Sequence, residues 1–350
     1  MHARNCLACV LPPYLLDHLA KHGHARLRTL AQNSLALDNQ LRLRRTAIGR
    51  ASTTLATARN TPPGQISRHV HTAESGSQLP GRLIRAEGQA TTGDVAADEA
   101  YAYLGATYEL FWEVFQRHSI DGAGLPLIGT VHYGQNYENA FWNGEQMVFG
   151  DGDGEIFNRF TIAIDIVGHE LAHGVIEHET SLAYKGQSGA LNESLADVFG
   201  TLVKQYHAKH SVEQADWLIG VGLFTDEVKA TALRSMKAPG SAYDDPALGK
   251  DPQPGHMRDY VDTTEDNGGV HINSGIPNRA FYLAATAIGG YAWEKSGRIW
   301  YEALCDEGLW DTADFSQFAA LTVDVAERLY GVGVEQQSVR QAWVDVGVIA

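Results

Sequence analysis

From residue 94 the apolar positions recur at helical spacing. In DVAADEAYAYLGATYELFWEVFQRHSI, Tyr101, Leu104, Tyr108, Trp112 and Phe115 fall on one face behind an Asp94 cap, which predicts one amphipathic helix. Residues 125 to 149 turn to strand chemistry, LIGTVHY and then NAFWNGEQMVFG, with Asn143-Gly144 as a hairpin turn. Helical period returns over 161–179 and again over 187–207, where Leu191, Leu195, Val198, Leu202 and Val203 form an apolar stripe. A loop-rich stretch then runs to 265, and from 279 onward Ala-rich and aromatic stripes read as further helices. Short strands and turns are expected before residue 93, and ASTTLATARNTPPGQ, residues 51–65, lacks periodicity and reads as a linker.

At 350 residues the chain can bury a large core, and two lobes are expected. Hydrophobic content of 44% with 20% charged residues describes a globular protein. No apolar run reaches the ~18 residues that a membrane span needs. The N-terminus is interrupted by Pro12 and Pro13, and no conventional secretory signal is read there. Three cysteines do not make a disulfide framework. The net charge of −15 is uneven: residues 1–50 hold eight Lys or Arg against two Asp, so that stretch is +6 and the remainder −21. A basic leader on an acidic body is either a disordered arm or a propeptide held to its own enzyme partly by long-range attraction. Nucleic-acid binding is not expected, because the body is acidic and the arm lacks interleaved aromatics.

The chemistry centres on DIVGHELAH, residues 165–173. His169 and His173, four apart on a helix, share one face and can clamp a single metal ion, with Glu170 able to reach its water. Two imidazoles leave a zinc site incomplete. GALNESLAD, residues 189–197, offers Glu193 and Asp197, also four apart, one to bind metal and the other to brace a ligand. In DNGGVHINSG, residues 266–275, Asp266 and His271 lie five apart across Gly268-Gly269, which suits a tight loop returning the imidazole toward the metal while the carboxylate orients it.

HELAH, followed twenty residues after His173 by Glu193 in N-E-x-x-x-D, resembles the thermolysin family of neutral zinc metalloproteases. The match runs from about residue 60 to the last residue. The resemblance implies an α+β, two-lobed fold with a sheet-rich N-terminal lobe, a helical C-terminal lobe and the zinc cleft between them. It implies one catalytic Zn²⁺ on His169, His173 and Glu193, with Glu170 as base, Tyr184 and His271 facing the oxyanion, and Asp266 behind His271. Asp197 and Asn192 would accept the free N–H groups of His169 and His173. Asn139 and Ala140 would hold extended substrate at a sheet edge, Arg234 would grip a substrate carbonyl, and Phe157, Ile166 and Leu233 would line an apolar pocket for the residue after the scissile bond. The implied activity is endopeptidase cleavage of proteins or peptides. A zinc aminopeptidase or a silent zinc-binding protein are the alternatives.

A Cys just ahead of Pro-Pro-Tyr resembles the leader of the protealysin-like branch, whose thiolate would reach the zinc. Cys9 is the first candidate and Cys6 the second, against a reading of both as small apolar docking residues. The expected organisation is a self-inhibitory propeptide over 1–50, cut near 45–60, an N-terminal lobe over 51–185 and a C-terminal lobe over 186–350. The own propeptide and protein substrates are the expected partners, with a monomer expected. The family is mostly extracellular, and a cytoplasmic precursor is the alternative. GDGDGEIF fails as an EF-hand because Ile162 stands twelfth from Asp151. Thermolysin's double calcium site is expected to be lost: Asp165 and Asp216 remain, but Lys204, Leu218 and Val221 stand where the other acids would be. Lys204 is expected to bridge the two aspartates. Calcium sites elsewhere are left open.

Overall fold

A computed structural model describes residues 8–48 and 60–350. Cys6 and most of the expected cut region therefore lie outside the described residues. The leader begins as a two-residue strand β1 (Ala8–Cys9), which the sequence ends immediately: proline has no N–H for a ladder, and Pro13 suits the first position of helix α1 (Pro13–His22). Leu15, Leu16 and Leu19 of α1 are fully buried, and the helix stops at Gly23. Helix α2 (Ala25–Ile48) buries Leu27, Ala31, Ser34 and Asp38, spaced four, three and four apart. Where it is described, the basic leader is thus a folded helical hairpin and not a disordered arm.

The N-terminal lobe follows with β2 (Arg68–Thr72), β3 (Arg82–Ala86), α3 (Val95–Phe115), β4 (Leu127–Val131), β5 (Ala140–Trp142) and β6 (Met147–Phe149). Asp94 caps α3 by accepting from the Ala97 N–H at 3.1 Å, and the helix packs on β2 and β4 and on the two helices that follow the sheet, while Phe115 lies against Phe199 and Tyr301. The sheet runs β1-β5-β6-β4-β2-β3, with parallel pairing only at β6–β4 and β4–β2. The leader strand is therefore the outermost member, antiparallel on β5 with Ala8 opposite Trp142 and Cys9 opposite Phe141.

Helices α4 (Ile164–Glu179) and α5 (Gly186–Ala208) form the floor of the cleft. They cross at two glycines: a Cβ on Gly168 would stand 3.1 Å from the Gly200 Cα, and one on Gly200 only 2.5 Å from the Asp165 carbonyl oxygen. That close approach sets His169 and His173 of α4 opposite Glu193 and Asp197 of α5. The loop-rich stretch carries two small hairpins, β7 (Leu218–Ile219) with β8 (Arg234–Ser235) and β9 (Asp244–Asp245) with β10 (Gly249–Lys250). Helices α6 (Asp266–Asn273), α7 (Gly275–Ile288), α8 (Ser296–Leu304), α9 (Phe315–Tyr330) and α10 (Val334–Asp345) complete the second lobe. The fold is the expected sheet-containing lobe joined to a helical one. One apolar cluster runs continuously from the sheet through α4 and α5 to the stacked Trp300 and Trp343, while a smaller cluster of Cys9, Tyr133, Tyr137, Phe141 and Val148 lies at the sheet edge against Leu37 and Leu41 of α2.

Candidate active site

One turn of α4 separates His169 from His173, and their Nε2 atoms approach to 3.0 Å. From α5 the Glu193 carboxylate lies 3.5 Å from each of them. Among the described residues these three side chains are the one His/Cys/Asp/Glu group able to hold a metal. The donor set fits zinc. His169 Nδ1–H donates to Asp197 Oδ1 and His173 Nδ1–H to Asn192 Oδ1, each at 2.8 Å, which leaves both Nε2 atoms as bare lone pairs facing one another. Three acceptors with no proton between them call for a cation. Burial pushes the His173 pKa down to about 3, so the imidazole is neutral and ready to ligate.

Glu170, on the same helix, is fully buried beside this group. Its Oε2 accepts the Trp142 N–H at 2.9 Å, while its Oε1 has no hydrogen-bond partner. Burial, reinforced by the Glu193 charge, raises its pKa well above the ordinary carboxylate value, as suits a base working near neutral pH.

The 266–275 stretch is the expected turn, continued as a helix. Asn267, Gly268 and Gly269 take positive φ of 52°, 87° and 74° before regular helix resumes, a run that glycine makes affordable. The turn folds Asp266 back on His271: its Oδ1 accepts from His271 Nδ1 at 2.6 Å and its Oδ2 from the His271 backbone N–H at 2.9 Å. Burial alone would lower the His271 pKa, but Asp266 and then Glu193 outweigh it and raise the net value. Tyr184 donates to Glu193 and lies 3.3 Å from His271 Nε2, so the phenol and the imidazole tip converge above the metal ligands.

Arg234, buried, points its guanidinium fork at Asp197, Nε to Oδ2 and Nη2 to Oδ1, both at 2.8 Å. Asn278 Nδ2 donates to the same Asp197 Oδ2 at 2.8 Å. Burial would raise the Asp197 pKa, yet the Arg234 charge and the His169 hydrogen bond hold it well below the carboxylate range. The third arm of Arg234, Nη1, donates to the Val10 carbonyl at 3.0 Å. Asn139 Oδ1 accepts the Leu11 N–H at 3.1 Å, and the Ala140 carbonyl accepts the Val10 N–H at 3.2 Å. The residues expected to hold an extended peptide at the sheet edge are therefore occupied by the leader itself. Phe157, Ile166 and Leu233 are buried in the apolar cluster that also contains Val10, with Ile166 and Leu233 flanking Gly220.

Cys9 is a correction. Its side chain lies in the cluster of Tyr133, Tyr137, Phe141 and Val148, away from the metal ligands, and only its carbonyl oxygen enters the site, 3.2 Å from His271 Nε2. The cause is strand parity. Cys9 lies opposite Phe141 and shares its face of the sheet, whereas the neighbouring Trp142 packs against Gly174 of the metal helix.

Several functional contacts escaped the sequence. Asp38 of α2 accepts from the Tyr137 hydroxyl and, at 3.0 Å, from Asn139 Nδ2, so the leader orients the very amide that receives the Leu11 N–H. Ser34 Oγ accepts the Glu138 N–H at 3.2 Å, and Arg26 pairs with Glu155 at 2.8 Å. The stripe Leu27-Ala31-Ser34-Asp38 was the available signal, an acid in line with small and apolar residues. Away from the cleft, Lys204 does bridge: Nζ lies 3.1 Å from Asp165 and 2.8 Å from Asp216, and donates to the Leu218 carbonyl at 3.0 Å.

Comparison with known proteins agrees with this geometry. Residues 33–177 match the thermolysin metallopeptidase catalytic domain and residues 180–348 the thermolysin metallopeptidase alpha-helical domain. An extracellular metalloprotease of Pectobacterium carotovorum is 56% identical over 98% of this chain and 96% of its own length. Protease PrtS of a Photorhabdus strain is 48% identical over 97% of this chain and 91% of its own. The solved precursor of protealysin, a metalloproteinase from Serratia proteamaculans, superposes with a TM-score of 0.90 at 56% identity, covering 98% of this chain and all of that one.

Proposed function

The chain belongs to the thermolysin family of metallopeptidases and is a zinc metalloendopeptidase, and from that premise we propose that it is made as a self-inhibited precursor. Residues 1–50 form the inhibitory leader, 51–185 the N-terminal lobe and 186–350 the C-terminal lobe. The observation that carries this reading is the leader strand on β5, held by Ala140, Asn139, Arg234 and His271. It supports the leader as a stand-in for substrate, added to the sheet edge as one more strand.

Zinc on His169, His173 and Glu193 supplies, when bound, the Lewis acidity that polarises the scissile carbonyl and acidifies water. Glu170 takes the proton of the attacking water and hands it to the leaving amine. Tyr184 and His271 donate to the carbonyl oxygen as negative charge develops there, with Asp266 fixing the imidazole so that Nε2 points at it. Arg234 holds the carbonyl of the residue after the scissile bond, and Asn139 and Ala140 hold the strand around it. Val10 stands at that following position in the leader and is fully buried in the same apolar core as Phe157, Ile166 and Leu233, which supports a preference there for an apolar side chain. Lys204 takes the place of a cation between Asp165 and Asp216, so the enzyme does without the double calcium site. No described helix is long and apolar enough to cross a membrane, and release from the cell is inferred from the extracellular relatives.

The test is cleavage of an internally quenched, end-blocked peptide with an apolar residue after the scissile bond. The full chain should be latent, a chain lacking residues 1–50 active, and Glu170→Gln in the shortened chain inactive with zinc retained. Full activity of the uncut chain would overturn self-inhibition.

A further inference from the structure

The leader does more than lie across the cleft: it presents one peptide bond to the reacting groups in the direction a substrate would take. The Cys9 carbonyl oxygen lies 3.2 Å from His271 Nε2. The next N–H, that of Val10, is held by the Ala140 carbonyl at 3.2 Å and faces the Glu170 carboxylate. One residue further, the Val10 carbonyl is on Arg234 at 3.0 Å and the Leu11 N–H on Asn139 at 3.1 Å. The oxygen of the Cys9–Val10 bond thus sits at the oxyanion donor, and its nitrogen at the group that protonates a leaving amine. An obstruction that worked by bulk alone, or one threaded in the opposite direction, would not align both ends of a single amide in this way.

We propose that the Cys9–Val10 bond is itself hydrolysed by the site it blocks, within the same chain, and that the leader from Val10 onward stays docked after the cut. The inference rests on the roles given above to Glu170 and His271. In the step, the water oxygen adds to the Cys9 carbonyl carbon, the C–N bond breaks, and Glu170 relays the two water protons in turn to the Val10 nitrogen. Cys9 is left as a carboxylate and Val10 as an ammonium group, with one water consumed and no other reactant. The two sides of the cut are held unequally. Downstream of it lie the Arg234 and Asn139 contacts, the buried Leu15, Leu16 and Leu19, the Arg26–Glu155 pair, and Ser34 and Asp38. Upstream, the described residues Ala8 and Cys9 pair with β5, and Cys9 is buried in the small sheet-edge cluster. The cut leaves the cleft covered and is distinct from removal of the leader near residues 45–60.

The experiment follows purified, zinc-loaded full chain over time by intact mass and N-terminal sequencing, beside Glu170→Gln. The expected result is a new chain beginning at Val10, formed at a rate that does not change on dilution, absent in Glu170→Gln and co-eluting with the latent protein before denaturation. A second readout needs no turnover: in zinc-free Glu170→Gln full chain, an isotope-labelled Cys9 carbonyl should show an infrared stretch lowered by the His271 hydrogen bond and restored when His271→Ala is added. If the bond stays intact while the leader-free enzyme cuts the quenched peptide, the inference falls and the proposed function stands. If neither bond nor peptide is cut, both fall. A carbonyl stretch indifferent to His271→Ala also overturns the inference.

Discussion

Asp38→Ala tests the leader's hold without altering the enzyme beneath it. The carboxylate lies on α2, is buried, and accepts from the Tyr137 hydroxyl and from Asn139 Nδ2. Each hydrogen bond to a charged acceptor is worth about 1.5–3 kcal/mol. When the leader leaves, Tyr137 and Asn139 recover water, so the two bonds do not count in full against docking. A net loss of ~2–3 kcal/mol is expected, a factor of roughly 30 to 150 in the docking equilibrium. The assay is the initial rate of the uncut full chain on the quenched peptide, divided by the rate of the same preparation once the leader has been removed. Asp38→Ala should raise that ratio by one to two orders of magnitude while the leader-free rate stays put. Asp38→Asn should fall between, because its oxygen still accepts from Tyr137 but its amide turns a donor toward Asn139. A ratio within about threefold of the unmodified chain would mean that α2 contributes less than ~1 kcal/mol there, and the clamp would be refuted.

The hold should also weaken as pH rises. Burial, with Asp153 adding to it, pushes the Glu138 pKa from 4.5 up to about 8, so the docked state favours the neutral acid. Its contribution is complete below 4.5 and lost as pH climbs through about 8, and the latency ratio should rise across that window but flatten in Glu138→Gln. Lys204→Met strands the buried Asp165 carboxylate. Because Lys204 is itself partly exposed, the expected loss is about 2–4 kcal/mol, seen as a lower Tm, whereas a calcium chelator should leave the unmodified enzyme's Tm unchanged. A chelator-induced drop would restore a structural calcium. Asp197→Asn should weaken zinc about 10- to 100-fold by chelator competition and raise KM as well, since it loosens both His169 and Arg234; zinc affinity left intact would dismiss the bracing role.

The metal centre was legible because helical period converts spacing into direction. His169 with His173 and Glu193 with Asp197 each share a helix face whatever the rest of the chain does. The closing turn at 266–271 was legible for a similar reason, paired glycines marking where the backbone could reverse and bring an imidazole home. Cys9 was misread because a strand has the opposite property: one residue of register exchanges the two faces, and nothing in LACVLPP says which residue will lie opposite Phe141. The leader hairpin was hidden by its charge. In ARLRTLAQNSLALDNQLRLRR the arginines crowd the apolar positions at both ends, Leu27, Leu41 and Leu43, and the inward stripe turns polar at Ser34 and Asp38 because the surface it meets carries Glu138, Tyr137 and Asn139. Such a face is apolar only in part and takes its meaning from its partner.

That partner also determines how latency can be adjusted. On the proposed function, the leader at Arg234, Asn139, Ala140 and His271 uses the contacts that an extended substrate would use, so any change there should alter inhibitor and substrate together. Discrimination has to come from surfaces that substrate does not reach: Asp38 on Tyr137, Ser34 on Glu138, Arg26 on Glu155. Being covalently joined to the strand, these contacts raise its effective concentration at the cleft without tightening any single catalytic contact. Cutting the chain between them and the body then removes the advantage of tethering and leaves the catalytic contacts as they were. On this account a leader that resembles substrate closely is no liability, because its retention is decided by α2 and its release by the peptide bonds beyond it.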